Sequence, residues 1–258
     1  MAWKIYGYDA PPLTRLDFPD TTAAPDANFG DFADLQADAA RGTLPAYAFL
    51  EPSWPSTGNS EHPNYNVALG ETLLLETYRA LREGPNWDAT LLIITYDEHG
   101  GCYDHVSPPW GATPPDDTPG EFAFDFTRFG VRVPTILVSP LIPAGTVARV
   151  PDATTPFDHT SVLATIEHRW NIAPLTRRDG AAPDVAAALT LTEPRTDDPL
   201  ANVIAPTPPP NPTGLAVTVS HLQQMHAELV AAQTGRGDQP PPTLHTNDEY
   251  AHFIARHA

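Results

Sequence analysis

The chain has 258 residues and a formal net charge of −18, with 32 Asp and Glu against 14 Lys and Arg. No basic patch stands out, which argues against a nucleic-acid backbone binder, whereas an acidic enzyme can still act on phosphate esters if a metal supplies positive charge. Cys102 is the only cysteine, so no intramolecular disulfide forms. No apolar run could span a bilayer and Met1-Ala-Trp-Lys-Ile-Tyr6 has no apolar signal core, so the expectation is a soluble chain without an export signal of its own.

In chain order, residues 3–8 form a short strand. Residues 9–28, rich in Pro, Asp, Thr and Ala, are a loop, in keeping with the chain's 31 prolines. Residues 31–41 have helical spacing, with Phe32 and Leu35 on one face and Gly42 as the stop. Residues 44–51 resemble a buried strand that ends in a carboxylate, Glu51. The loop 52–66 carries His62. Residues 66–83 are the clearest helix, since Val67, Leu74, Tyr78 and Leu81 share a face and Gly84-Pro85 ends it.

A second apolar strand follows at Leu91-Leu-Ile-Ile94. Strand, helix, strand in that order is the βαβ pattern of a parallel sheet. Directly after this strand come Asp97, Glu98, His99, Gly100 and Gly101. Ligands of open α/β sheets sit past the carboxyl ends of strands, and Asp, Glu and His can hold a divalent cation. On an extended strand Asp97 and Glu98 point to opposite faces. Both reach one ion only if the backbone turns there; otherwise Asp97 is the surer ligand and Glu98 orients a histidine. Alternating crossovers place the His62 loop at the same sheet edge as Asp97, where an imidazole could donate to a phosphate oxygen or protonate a leaving group.

Further along, residues 107–120 are a Pro/Gly/Asp loop long enough to wall a site. Residues 131–139 are a strand whose Pro134 marks an edge or a bulge. Asp158 and His159 stand where a helix begins, as caps or as site residues. Asp104 and His105 are a supporting pair or a loop anchor, and His99 contacts substrate or simply closes a turn. His168 is a satisfied or surface residue. Cys102 reads as packing rather than as a nucleophile. Trp54, Trp87 and Trp110 are candidate pocket walls, with Trp87 more simply core. Residues 193–213 form a Pro-rich spacer, 217–233 a terminal helix, and 234–258 a loosely ordered end whose histidines are solvated.

An ordered set of motifs carries a resemblance. Glu61-His62-Pro63 through Gly70-Glu71, Asn86-Trp87, Thr95-Tyr-Asp97-Glu98-His99-Gly-Gly-Cys-Tyr-Asp104-His105-Val-Ser-Pro-Pro109, Phe129-Gly-Val-Arg-Val-Pro134, Val138-Ser-Pro140 and Asp158-His159-Thr-Ser-Val-Leu163 closely resemble the bacterial phosphoesterase family of non-haemolytic-type phospholipases C and acid phosphatases. The resemblance implies an alkaline-phosphatase-like α/β fold with a largely parallel sheet flanked by helices. It implies hydrolysis of phosphate mono- or diesters, of a lipid or a small molecule, at a site assisted by a divalent metal ion. It matches Asp97 and Glu98 to metal-proximal positions and His62 to a histidine facing the scissile phosphate.

The chain departs from the family pattern in one respect. Members open with a Glu-Asn-x-Ser-Phe-Asp type motif, in a half that supplies the nucleophilic hydroxyl, and no Glu-Asn dipeptide occurs here. Residues 1–175 are therefore expected to be the carboxyl-terminal part of a phosphoesterase catalytic domain, and 176–258 a Pro-rich, partly irregular extension with a terminal helix. A separately encoded amino-terminal half is the expected partner. The alternative is a non-catalytic metal-binding or interaction remnant of the same fold. A glycosidase carboxylate pair is the weakest option, because adjacent residues cannot flank a scissile bond at the required separation.

Overall fold

The computed structural model describes residues 1–8, 12–54, 58–63, 65–150, 155–208, 219, 221–231 and 243–257. The chain divides into two compact units, one of residues 1–86 and 198–258, the other of residues 87–197.

The first unit is built on a three-stranded parallel sheet. Strand β1 (Trp3–Tyr6) lies between β2 (Phe29–Gly30) and β3 (Tyr47–Leu50), with Ile5 opposite both Phe29 and Phe49. Residues 9–28, expected as a loop, hold two short helices, α1 (Leu13–Asp17) and α2 (Pro19–Thr22). Pro19 sits in the first turn of α2, where its missing N–H has no cost. Residues 9–11 lie outside the described residues.

Helix α3 (Phe32–Arg41) starts at a reciprocal cap. The Asp31 carboxylate accepts from Asp34 N at 2.8 Å, and that of Asp34 accepts from Asp31 N at 3.2 Å. It stops at Gly42, whose φ of 68° suits glycine. Helix α4 (Val67–Glu83) is capped by Asn66, whose side chain accepts from Ala68 N at 3.0 Å. At Gly84 a Cβ would stand 2.6 Å from the Ala39 carbonyl oxygen, so the approach of α3 to α4 requires glycine.

The core of this unit gathers Tyr6, Phe32, Leu35 and Leu73. Lys4 and Tyr6 alternate onto one face of β1 and both reach Asp38 of α3. Tyr6 Oη donates to Asp38 Oδ2 at 2.8 Å, Lys4 Nζ at 3.1 Å, and Arg41 Nη2 donates to Oδ1 at 2.7 Å. Burial pushes the Asp38 carboxyl up, but the hydrogen bonds from Tyr6, Lys4 and Arg41 outweigh it and hold the group at about 2. Burial, and then the bond to Asp38, push the Tyr6 phenol well above its ordinary value.

Two later helices complete the unit. Helix α7 (His221–Ala231) falls inside the expected 217–233, whose ends, Val217 and Gln233, lie outside the described residues. Helix α8 (Asn247–His257) occupies a segment expected to be loose; residues 234–242 are not described. Tyr250 of α8 is buried, as are Ala227 and Val230 of α7, so an apolar seam rather than local periodicity holds this pair.

The second unit carries β4 (Leu92–Thr95) and β5 (Thr135–Val138). They form a two-stranded antiparallel sheet with Ile93 opposite Leu137. The βαβ reading of residues 44–95 is corrected here: β4 pairs with a strand 40 residues downstream in antiparallel sense. β5 begins directly after Pro134, because proline cannot donate to the ladder. Helix α5 (Thr160–Trp170) ends at Asn171, which takes a left-handed conformation with φ 52°. Helix α6 (Arg177–Ala181) is capped by Thr176 and Asp179. The buried Asp179 carboxylate accepts from Leu175 N at 2.7 Å and bonds the Thr176 hydroxyl. Among the described residues no helix is long and apolar enough to cross a membrane.

Candidate functional site

Strand β4 delivers Tyr96 and the turn 97–101 from its carboxyl end. Gly100 and Gly101 have φ of 64° and 71°, the left-handed turn that their sequence position suggests. Side chains of the turn fold back on its backbone. Asp97 Oδ1 accepts from Glu98 N at 3.0 Å, and Glu98 Oε2 from Gly100 N at 2.6 Å. His99 Nδ1 donates to the Cys102 carbonyl at 3.1 Å, since a carbonyl can only accept. Asp97, Glu98 and His99 are all exposed.

Cys102 is exposed rather than packed, contrary to expectation, because it lies on the outside of this tight turn. Of the tryptophans, Trp87 is buried core as expected, while Trp110 is exposed.

Asp104 and His105 do stand together, with His105 Nδ1 3.6 Å from Asp104 Oδ1. Arg132, which the sequence pattern did not single out, engages Asp104 more strongly. Its Nε meets Oδ2 at 2.7 Å and its Nη2 meets Oδ1 at 2.8 Å, a two-pronged carboxylate clamp. The Arg132 hydrogen bonds, followed by one from Val106 N, hold the Asp104 carboxyl well below the ordinary carboxylate range.

His159 reaches the residue before the same turn, while Asp158 caps α5 beside it. His159 Nε2 donates to the carbonyl of Tyr96, the residue before Asp97, at 2.7 Å. Asp158 Oδ1 accepts from Thr160 N at 2.8 Å and from its hydroxyl at 2.6 Å, capping α5. Asp158 Oδ2 accepts from Arg178 Nη2 at 2.8 Å, and the guanidinium also lies 5.0 Å from the Phe129 ring centre. Arg178 was not legible in the sequence; it lies 20 residues from Asp158, and no short motif links them. His168 pairs with Asp184 at 3.1 Å on the surface, a satisfied residue.

His62 belongs to the first unit and the other seven candidates to the second. Its loop is braced by buried polar groups. Ser60 Oγ accepts from His62 N at 3.1 Å, Asn59 Oδ1 accepts from Ser53 N at 2.7 Å, and the Tyr65 ring stands edge-on to the imidazole at 6.5 Å. Glu51, at the end of β3, is buried and accepts from Leu13 N at 2.7 Å and Thr14 N at 3.0 Å, so it fastens the start of α1.

Among the described residues no three His, Cys, Asp or Glu side chains gather where they could hold a metal ion. Asp97 and Glu98 have hard oxygen donors of the right type, but two carboxylates do not complete a divalent site of about six ligands. A metal at this turn needs donors beyond them.

The parallel sheet flanked by helices in the first unit, and the strand of the second unit that ends in an acidic glycine-closed turn, fit an α/β fold of the alkaline-phosphatase-like class. The description of the Phosphoesterase family matches residues 6–173, and the chain belongs to that family. It is 44% identical to non-specific phospholipase C6 of Arabidopsis thaliana over 181 residues, 64% of this chain and 34% of that protein. It is 35% identical to non-specific phospholipase C4 of the same plant over 234 residues, 86% of this chain and 42% of that protein. To phospholipase C A of Mycobacterium tuberculosis it is 36% identical over 185 residues, 64% of this chain and 32% of that protein. The chain thus spans about a third to two fifths of the length of these relatives, which come from plants as well as bacteria.

Proposed function

We propose that this chain is part of a hydrolase of phosphate mono- or diesters of the phospholipase C and acid phosphatase type, with its reacting centre at the turn 97–101. The observation that carries the reading is the acidic turn itself. It follows the carboxyl end of β4, is closed by two left-handed glycines, and is pinned through Tyr96 by His159. Family membership and phospholipase C relatives support the same class.

In this reading His99 donates to the scissile phosphate or its leaving group and His105 contacts the substrate, and His62, in the other unit, is a candidate for the same donor role. Asp97 and Glu98 are this segment's share of a divalent-metal site whose remaining donors come from elsewhere. The nucleophilic hydroxyl comes from a segment bearing the Glu-Asn motif, on the same or a separate chain.

A second reading is a non-catalytic scaffold. It is favoured by Asp104 and Asp158, whose carboxylates are held by Arg132 and Arg178 in structural clamps. The test is hydrolysis of p-nitrophenyl phosphate and its bis ester by the 258-residue chain, alone and with the amino-terminal half of a relative added. The proposal expects turnover only after addition, and its loss in Asp97→Ala. Turnover by the chain alone, abolished by the same substitution, would keep the site and remove the need for an outside nucleophile. No turnover in either case, with metal-dependent thermal stabilisation, would establish the scaffold instead.

A further inference from the structure

Arg178 and Asp158 form the best screened arginine–carboxylate pair described in the second unit. Their side chains are 20% and 17% exposed, against 59% for Arg132 in the Asp104 clamp. Each part of the guanidinium has its own task. Nε and Nη2 both donate to Asp158 Oδ2, at 3.2 and 2.8 Å. Nη1 donates to the Phe126 carbonyl at 3.4 Å, and the flat face lies against the Phe129 ring. A rigid planar fork serves these contacts together, which a single ammonium on a flexible stem does not.

The helix that carries Arg178 is itself fastened to α5. Its capping residue Asp179 is buried, and Glu167 of α5 is buried beside it in hydrogen-bond contact. Burial, and then the contact with Asp179, push the Glu167 carboxyl up, which favours the acid form that donates to Asp179. Arg178 therefore works from a fixed base.

The grip passes from Asp158 toward the acidic turn. With Oδ2 on Arg178, Oδ1 is left to the backbone N–H and hydroxyl of Thr160, and Asp158 N donates to the buried Ser161 Oγ at 3.1 Å. The residue is held at both carboxylate oxygens and at its own N–H. The next residue, His159, enters α5 with φ −57° and ψ −33°, and its Nε2 donates to the Tyr96 carbonyl, one residue before Asp97. The side-chain bonds described within residues 97–102 link members of that segment to one another. They set the shape of the turn, and the His159 bond ties it to an element outside.

We infer that Arg178 is a positioning residue for the turn 97–101: its guanidinium orients Asp158, Asp158 fixes His159, and His159 holds Tyr96 and with it the carboxylates of Asp97 and Glu98. The inference rests on the reading of that turn as the reacting centre and adds to it a residue that acts through others.

The test is nuclear magnetic resonance of the isotope-labelled 258-residue chain, with the Gly100 and Gly101 amides and the His159 ring nitrogens as reporters. Arg178→Ala should shift these signals, and guanidinium chloride far below denaturing concentration should return them toward the wild-type positions. In a His159→Phe background the same substitution should leave Gly100 and Gly101 unmoved, because the link is already cut. Arg178→Lys, a milder change to the fold, should move the same reporters, since one ammonium does not replace the fork. With the amino-terminal half of a relative added, Arg178→Ala should lower kcat about tenfold or more at nearly constant KM. Reporters unmoved by Arg178→Ala or Arg178→Lys, no response to guanidinium, or equal movement in the His159→Phe background would overturn the inference and leave Arg178 a clamp for the fold alone. No turnover by the wild type after the addition would instead overturn the reading on which the inference rests. The two failures are told apart because the resonance shifts need no turnover.

Discussion

The two sheets show what an apolar strand needs around it. In the first unit β1 has a partner on each side and helix α3 over one face, and Ile5 and Tyr6 are buried. In the second unit β4 and β5 are as apolar in sequence, yet Ile136 is 54% exposed and no residue of β4 is fully buried. Continuous apolar runs are the mark of strands covered on both faces. The difference lies in the cover each strand receives rather than in its residues. Charges differ in their partners rather than in their cover. Asp38 gathers four side-chain donors, whereas Asp104, screened to the same degree, is held chiefly by Arg132, itself exposed.

The largest expected effect tests this contrast directly. Tyr6→Ala should cost about 3–5 kcal/mol by opening the first core, whereas Ile136→Ala should cost no more than about 1 kcal/mol. Denaturant titration of both variants decides it. Equal losses would mean that the β4–β5 face is covered after all.

Asp38→Asn comes next, at about 2 kcal/mol, because it disturbs four hydrogen bonds at once. The pH dependence sharpens the assignment. The folded-state pKa of Asp38, about 2, lies below its ordinary value of 3.8. Its contribution is therefore present above pH 4 and is lost as pH falls from about 4 to 2. Melting curves across that window should slope more steeply for the wild type than for Asp38→Asn. The smallest effect belongs to Asp104→Ala, which should move the melting temperature by about a degree, as solvent competes for the exposed guanidinium of Arg132. A shift as large as that of Asp38→Asn would erase the distinction between a four-donor carboxylate and a single-arginine clamp.

Local rules made much of the fold legible. Gly42 and Gly84-Pro85 end α3 and α4 as their chemistry dictates, and Asn66 caps α4 because its amide oxygen reaches a free N–H. The α/β class and the parallel sheet were also within reach. The pairing of β4 was not, since hydrophobic period identifies a strand but not its neighbour. Helices α1 and α2 were hidden in a Pro- and Asp-rich stretch, and α1 depends on Glu51, 38 residues from Leu13, to satisfy its first donors. At the site, the turn was legible from Asp97 to Gly101, because acidic residues before paired glycines constrain the backbone locally. Arg132 and Arg178 were not, because each meets its aspartate across 28 and 20 residues of chain. Ion pairs at such spans leave no periodic trace.

The hydrogen bond from His159 to the Tyr96 carbonyl has a consequence for how this fold can diversify. Together with the β4–β5 ladder it closes a loop of chain at its base. Residues 105–127 lie in that loop, tied to α6 only at Pro115, Asp117 and Phe126 among the bonds described. Lengthening a loop whose ends are already pinned adds little entropy cost, about 0.6 kcal/mol per doubling. Its outer part is therefore an interchangeable cassette. Insertions, deletions or grafts between residues 118 and 125, between the bonds that tie Pro115, Asp117 and Phe126 to α6, can change what the surface meets while the acidic turn stays where β4 and α5 hold it.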